Sequence, residues 1–341
     1  MFSSLPKLVD KNFVLGFLLP VLLTAIALAV LYRETALLKD LYSALGSEDF
    51  SAALTVVGVT IWITAVLLML CNNGLYRFLE GYIGPFKNQW WRERRQAEFD
   101  KESKYLDDTY AAITKPESAA TPETRREYFR RLRIFAERFP HLPHLVLPTR
   151  FGNVIRSFET YPLRVYGVDS IPTWLRMAAV IPKDFTSAID SARTEVNFFI
   201  NSWLLSLVVA GLALGSFASD AFDLWDAGQP VTGLKLDYPI SSLAAIAIAI
   251  FAYRLATERA VAWGGVVKSA FDLYLPALAR QLGYSLPATR ARREQFWDAV
   301  NSMLLYRQAI SPESWPAAPA QPPSDAADDS PGTKGDEDDS E

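Results

Sequence analysis

The side chains best suited to chemistry gather between Leu147 and Arg176, in the run LPTRFGNVIRSFETYPLRVYGVDSIPTWLR. It holds Arg150, Arg156, Arg164 and Arg176, the carboxylates Glu159 and Asp169, the amide Asn153, and Tyr161 and Tyr166. Cations and carboxylates crowded this closely can form an anion-binding or catalytic pocket, because each shifts the ionisation of the others. Thr149 is placed to cap a short helix ending near Tyr161-Pro162, with Arg150 and Asn153 on one side of it. Arg156 precedes Glu159 by one helical turn, the spacing of an ion pair. Tyr166-Gly167-Val168-Asp169 reads as a turn. The plainer outcome, and the favoured one, is a hydrogen-bonded network fixing a polar domain against membrane helices. The candidate binding or contact cluster is Arg150, Asn153, Arg156, Glu159, Tyr166, Asp169 and Arg176.

Elsewhere chemistry is sparse. His141 and His144 are the only histidines; Pro143 between them prevents regular helix and no further ligand follows promptly, so no metal is expected. Cys71, the single cysteine, rules out an internal disulfide and reads as a packed small hydrophobe. The chain carries no Walker A sequence, dinucleotide-type glycine pattern, nucleophile elbow or H-E-x-x-H. These absences weaken an enzymatic reading, and no cofactor is expected.

The elements that must position the cluster are dominated by apolar blocks. A helix needs about 20 apolar residues to cross the hydrocarbon, and segments 13–31, 52–71, 198–217 and 238–255 meet that length. None has a charge at its centre; Arg254 sits at the end of the fourth, within reach of headgroups. The first segment alone holds 13 Leu, Ile, Val or Phe residues, favouring insertion by about 4 to 8 kcal/mol as an upper bound. Its length and the lack of a polar stretch before Ala25-Ile26-Ala27 argue against a cleaved signal. Pro20 predicts a kink within it.

Short-loop charge sets the orientation. The loops after the first and third segments carry only Arg33, Lys39 and Lys235 of the 34 bases. Both termini and the middle domain are therefore expected in the cytoplasm, with the spans in a bacterial inner membrane. Directly after the second span, GYIGPFKNQWWRERR interleaves aromatics and bases. Trp90, Trp91, Arg92, Arg94 and Arg95 read as a membrane-surface anchor, each cation worth about 1 kcal/mol beside anionic lipid. That position favours lipid over nucleic acid, and no nucleic-acid partner is expected. Gly211 and Gly215 form a GxxxG pair expected to pack the third span against the fourth or against a second subunit.

Thr121, Pro122 and Glu123 announce a helix that stops at Phe139-Pro140. The third span is expected to begin as an amphipathic stalk near Pro182, and the fourth to run on to about Tyr274, with Gly264-Gly265 as a possible bend. A last helix is expected over 287–307. The tail, 311–341, holds nine acids, six prolines and one lysine; it cannot bury a core and reads as disordered.

The stretch PTRFGNVIR, the Glu before TYP, YGVD and Trp174-Leu175-Arg176 resembles a group of uncharacterised bacterial multi-pass membrane proteins, in patches covering roughly a fifth of the chain. Phe13–Pro20 and Leu79-Glu80-Gly81-Tyr82 are similar to the same group. The resemblance implies a membrane protein and carries no activity with it. The expected fold is an all-α integral membrane protein with four transmembrane helices as two hairpins and a helical cytoplasmic domain between spans two and three. Its units are 1–71, 72–197, 198–256, 257–310 and the tail. The leading functional expectation is a non-enzymatic interaction or signalling module, with the bilayer, a cytoplasmic protein and a second copy as partners. A homo-oligomeric channel comes second and a membrane-surface enzyme third.

Overall fold

Apolar runs of this length dictate long helices, and the computed structural model consists of helices and turns. It describes residues 10–33, 35, 39, 50–115, 121–228, 236–310 and 315, with no strand among them. The acidic tail lies outside the described residues except for Trp315. In chain order the helices are α1 (Lys11–Leu31), α2 (Phe50–Glu80), α3 (Gln89–Thr114), α4 (Pro122–Arg138), α5 (Arg150–Glu159), α6 (Tyr161–Tyr166), α7 (Ser170–Val180), α8 (Lys183–Asp226), α9 (Asp237–Gln281) and α10 (Arg290–Tyr306). Four of them, α1, α2, α8 and α9, are long and apolar enough to cross a membrane.

The apolar bundle is organised by α8. Phe13, Phe17 and Val21 of α1 pack with Ala65 and Leu68 of α2 and with Leu205 of α8. α1 lies more extensively against α8 than against its chain neighbour α2. Pro20 has no N–H to offer the Gly16 carbonyl one turn earlier, and Asn201 of α8 donates to that oxygen at 2.7 Å. The helix responds with a π-turn over Val14–Leu18. Further polar contacts continue the seam: Thr194 donates to Asn12 at 3.0 Å, and Asn72 and Tyr76 donate to Asn197 at 3.2 and 2.9 Å.

Small residues let α8 and α9 lie close together, but on α8 they are not the expected glycines. Ala210 and Ala213 are buried, as are Ser242, Ala245 and Ala249, and Ser242 Oγ donates to the Ala210 carbonyl at 3.1 Å. Gly211 and Gly215 instead face open space, where an added methyl would meet nothing within 4 Å. The GxxxG pair therefore does not join span three to span four; the alanine one position away does. Cys71 likewise is exposed rather than packed.

α8 and α9 are 44 and 45 residues long, roughly 66 Å each against about 30 Å of hydrocarbon. Their excess length forms the domain core. Val196, Ile200, Ala256, Ala260, Val267 and Phe271 pack with Phe151, Val154 and Phe158 of α5, Met177 of α7, and Phe296 and Trp297 of α10. Each large apolar side chain buried this way contributes about 1.5–3 kcal/mol. Gly264 leaves room for the Phe158 ring, which an added methyl would strike, and α9 runs on through it without interruption. Trp315, within the segment read as tail, stacks edge-on against Phe296 at 5.4 Å. α3 and α4 form a satellite pair, Phe99 against Phe135 and Phe139. Arg130 and Arg131 both bond Glu127, exposed pairs worth little to stability.

Candidate functional site

Within the Leu147–Arg176 stretch the Thr149-capped helix forms as expected, while α6 and α7 are helices the sequence reading did not foresee. Thr149 caps α5 by accepting from Gly152 N at 2.9 Å, and Asp169 caps α7 by accepting from Ile171 N at 3.2 Å. What these residues do next separates them. Asn153 is 1% exposed; it accepts from Leu147 N at 2.7 Å and donates to the carbonyls of Leu147 and Thr149 at 2.8 Å each. It clamps the loop entering α5 and offers nothing to a ligand, which corrects its place in the contact cluster. Thr149 Oγ1 also donates to the Leu79 carbonyl at 2.5 Å, tying α5 to the end of α2. Gly152 permits this approach, since a Cβ there would lie 2.7 Å from the Glu80 carbonyl.

The remaining members fall into three places. Arg156 and Glu159 form the expected ion pair at 3.5 Å, and Arg156 also donates to the Tyr82 hydroxyl. Tyr161 and Tyr166 both donate to Asp272 Oδ1 at 2.8 Å, and burial followed by this carboxylate raises the Tyr166 phenol above its ordinary range. Asp169 N donates to Asn301 of α10 at 3.0 Å, whereas Arg176 donates to the Pro172 carbonyl of its own helix. Arg150 is exposed and turned toward α9. Arg150, Glu159 and Asp169 thus do not converge on one pocket.

Glu80, nine residues beyond the apolar run of α2, is a carboxyl strongly affected by its surroundings. Burial, then the charge of Glu159, pushes it from an ordinary 4.5 up to about 7, while Arg156 and Arg77 oppose the rise. Glu159 is raised by burial in the same way, against Arg156. Between about pH 4.5 and 7 the folded chain therefore holds more protons here than the unfolded chain, so stability falls as pH rises through that window and levels off above it. Glu80→Gln is expected to flatten this slope in thermal melts at about pH 5 and pH 7.5. An unchanged slope would assign the pH dependence to other groups.

One cavity does gather expected residues from separate parts of the chain. It has a volume of about 600 Å³ and lies between α3, α5, α8 and α9. Trp91, Arg94 and Arg95 from the anchor, Arg138 from α4, Arg150 from the cluster and Arg254 from the end of the fourth apolar run all line it. Arg95 does not point at lipid as expected; it is buried and bonded to Glu98 at 2.5 Å. Burial, then the charges of Arg150 and Arg94, lower its pKa against the pull of Glu98. Arg138 pairs with Glu258 at 2.7 Å. Trp90 and Arg92 remain exposed outside the cavity, with Trp90 edge-on to Trp91 at 4.6 Å.

Sequence reasoning missed Asn197, Asp272, Asn301 and the part played by Tyr253, whose hydroxyl accepts from Phe151 N at 3.4 Å. Asn197 stands just before an apolar run, a signal that could have marked it; nothing local marks Asp272 or Asn301. No protein-family model matches this sequence, and no curated protein or solved structure does either.

Proposed function

We propose that this chain is a non-enzymatic membrane protein whose middle domain, with both termini, lies on the cytoplasmic side of a bacterial inner membrane and receives a protein partner or signal. The observation that carries this reading is the α8–α9 pair, which belongs at once to the apolar bundle and to the domain core. A binding event that displaces α5 or α7 is passed to the spans along unbroken helices. The distribution of Lys and Arg among short loops supports the cytoplasmic placement.

A face for the partner is offered by α7, where Ile171 is 66% and Leu175 78% exposed. Trp174 of the same helix lies 5.9 Å from Phe271, itself 16 residues past Leu255, or roughly 24 Å along α9. Apolar side chains that far from hydrocarbon fit a protein surface better than lipid. The channel alternative would line its path with hydroxyls of the spans. Those of Thr55, Thr60 and Thr64 already donate to carbonyls of their own helix at 2.7–2.8 Å.

Full-length protein purified in mild detergent tests the reading by native mass spectrometry and liposome flux. A soluble protein that co-purifies with the wild type, is lost from Leu175→Asp, and comes with no ion flux is the expected result. A closed oligomer that conducts ions would overturn it in favour of the channel.

A further inference from the structure

The arginine cavity carries an uncompensated charge. Arg95 and Arg138 are matched by Glu98 and Glu258, whereas no carboxylate among the described residues pairs with Arg94, Arg150 or Arg254. Among the described residues, three guanidinium groups thus share one concavity without a carboxylate paired to them. Like charges held together are relieved by an anion placed among them, and guanidinium forks match phosphate oxygens in geometry as well as charge.

The cavity also has a direction. Trp203 of α8 lies five residues inside the third apolar run and Ile250 of α9 five residues inside the fourth, each counted from the end nearest the domain. Both therefore sit roughly 8 Å into the hydrocarbon layer. Arg254 lies one turn nearer the domain, at the boundary, and Arg150, the first residue of α5, lines the same cavity. Phe86 and Trp91 complete the wall. The concavity is apolar at hydrocarbon depth and cationic at headgroup depth.

We propose that this cavity binds an anionic phospholipid, its phosphate held by Arg94, Arg150 and Arg254 and an acyl chain lying along Ile250 and Trp203. The arginines would serve a free phosphate equally; the apolar floor selects the lipid. A lipid held here touches α3, α5, α8 and α9 together and so seals the domain onto the spans.

The test uses full-length protein in neutral detergent, titrated separately with dioleoyl phosphatidylglycerol, dioleoyl phosphatidylcholine and inorganic phosphate, with adducts counted by native mass spectrometry. Phosphatidylglycerol is expected to bind at least about tenfold more tightly than phosphatidylcholine, and the double variant Arg150→Gln/Arg254→Gln to lose about that factor. Both side chains are exposed and make no ion pair among the described residues, so the variant is expected to melt with the wild type. Arg94→Gln provides a second probe, and Arg133→Gln/Arg290→Gln, which removes the same charge outside the cavity, is expected to bind normally. Equal binding of the two lipids, or phosphatidylglycerol binding unchanged in the cavity variants, would overturn the site. Inorganic phosphate bound as tightly as the lipid, and lost in the same variants, would assign the cavity to a soluble anion and overturn the lipid.

Discussion

Asn153→Ala is expected to destabilise the folded protein by about 2 kcal/mol or more, because two buried backbone groups lose their partner and each costs about 1–3 kcal/mol when left unsatisfied. The Leu147 N–H and carbonyl are the groups concerned, whereas the Thr149 carbonyl keeps the backbone N–H of residue 153. They hold the loop that delivers Thr149 to the end of α2, so the loss spreads to the contact between domain and spans. Asn153→Asp is expected to fare no better: a carboxylate can still accept from Leu147 N but repels both carbonyls. Thermal melts followed by tryptophan fluorescence provide the measurement, with Arg176→Gln, an exposed neighbour, as a near-neutral comparison. An Asn153→Ala variant that melts with the wild type would show that the clamp is dispensable.

Gly152→Val is expected to cost about 3 kcal/mol through overpacking. The added Cβ would stand 2.7 Å from the Glu80 carbonyl and 2.9 Å from its Cα. Backbone at the end of a long helix cannot yield as a flexible side chain does, so α5 must move away from α2. Gly211→Ala and Gly215→Ala meet nothing within 4 Å and are expected to change stability by no more than about 1 kcal/mol, in the direction of a better helix former. These variants separate close packing from the GxxxG pattern. Loss of the folded monomer in Gly211→Ala, with Gly152→Val intact, would reverse the assignment.

The four apolar helices were legible because insertion energetics depend on composition over about 20 residues and on little else. Caps were equally legible: Thr121 and Thr149 act on backbone within three residues, so spacing alone finds them. The Arg156–Glu159 pair follows from the same helical geometry. What stayed hidden depends on which turn of one helix meets which turn of another. Gly211 and Ala210 differ by one position and about 100° of helix rotation, and only packing decides which of them faces α9. Asn201 could be seen as a polar residue in an apolar run, but not as the donor that serves the carbonyl freed by Pro20. The arginine cavity draws Arg94, Arg138, Arg150 and Arg254 from four helices far apart in sequence, so no local pattern could assemble it. Asn153 looked like a ligand contact because its type suits one; its burial against three backbone partners gives it a structural task instead.

The account depends above all on the domain and the ends of the long helices lying on opposite sides of the membrane from the turn after α8. Single cysteines placed at Ser103 and at Asp226 in a Cys71→Ser background, probed in intact cells with an impermeant thiol reagent, test that arrangement directly. The predicted result is labelling at 226 from outside and none at 103 until the membrane is opened. Labelling at 103 in intact cells with protection at 226 would contradict the orientation, and with it the cytoplasmic receiver.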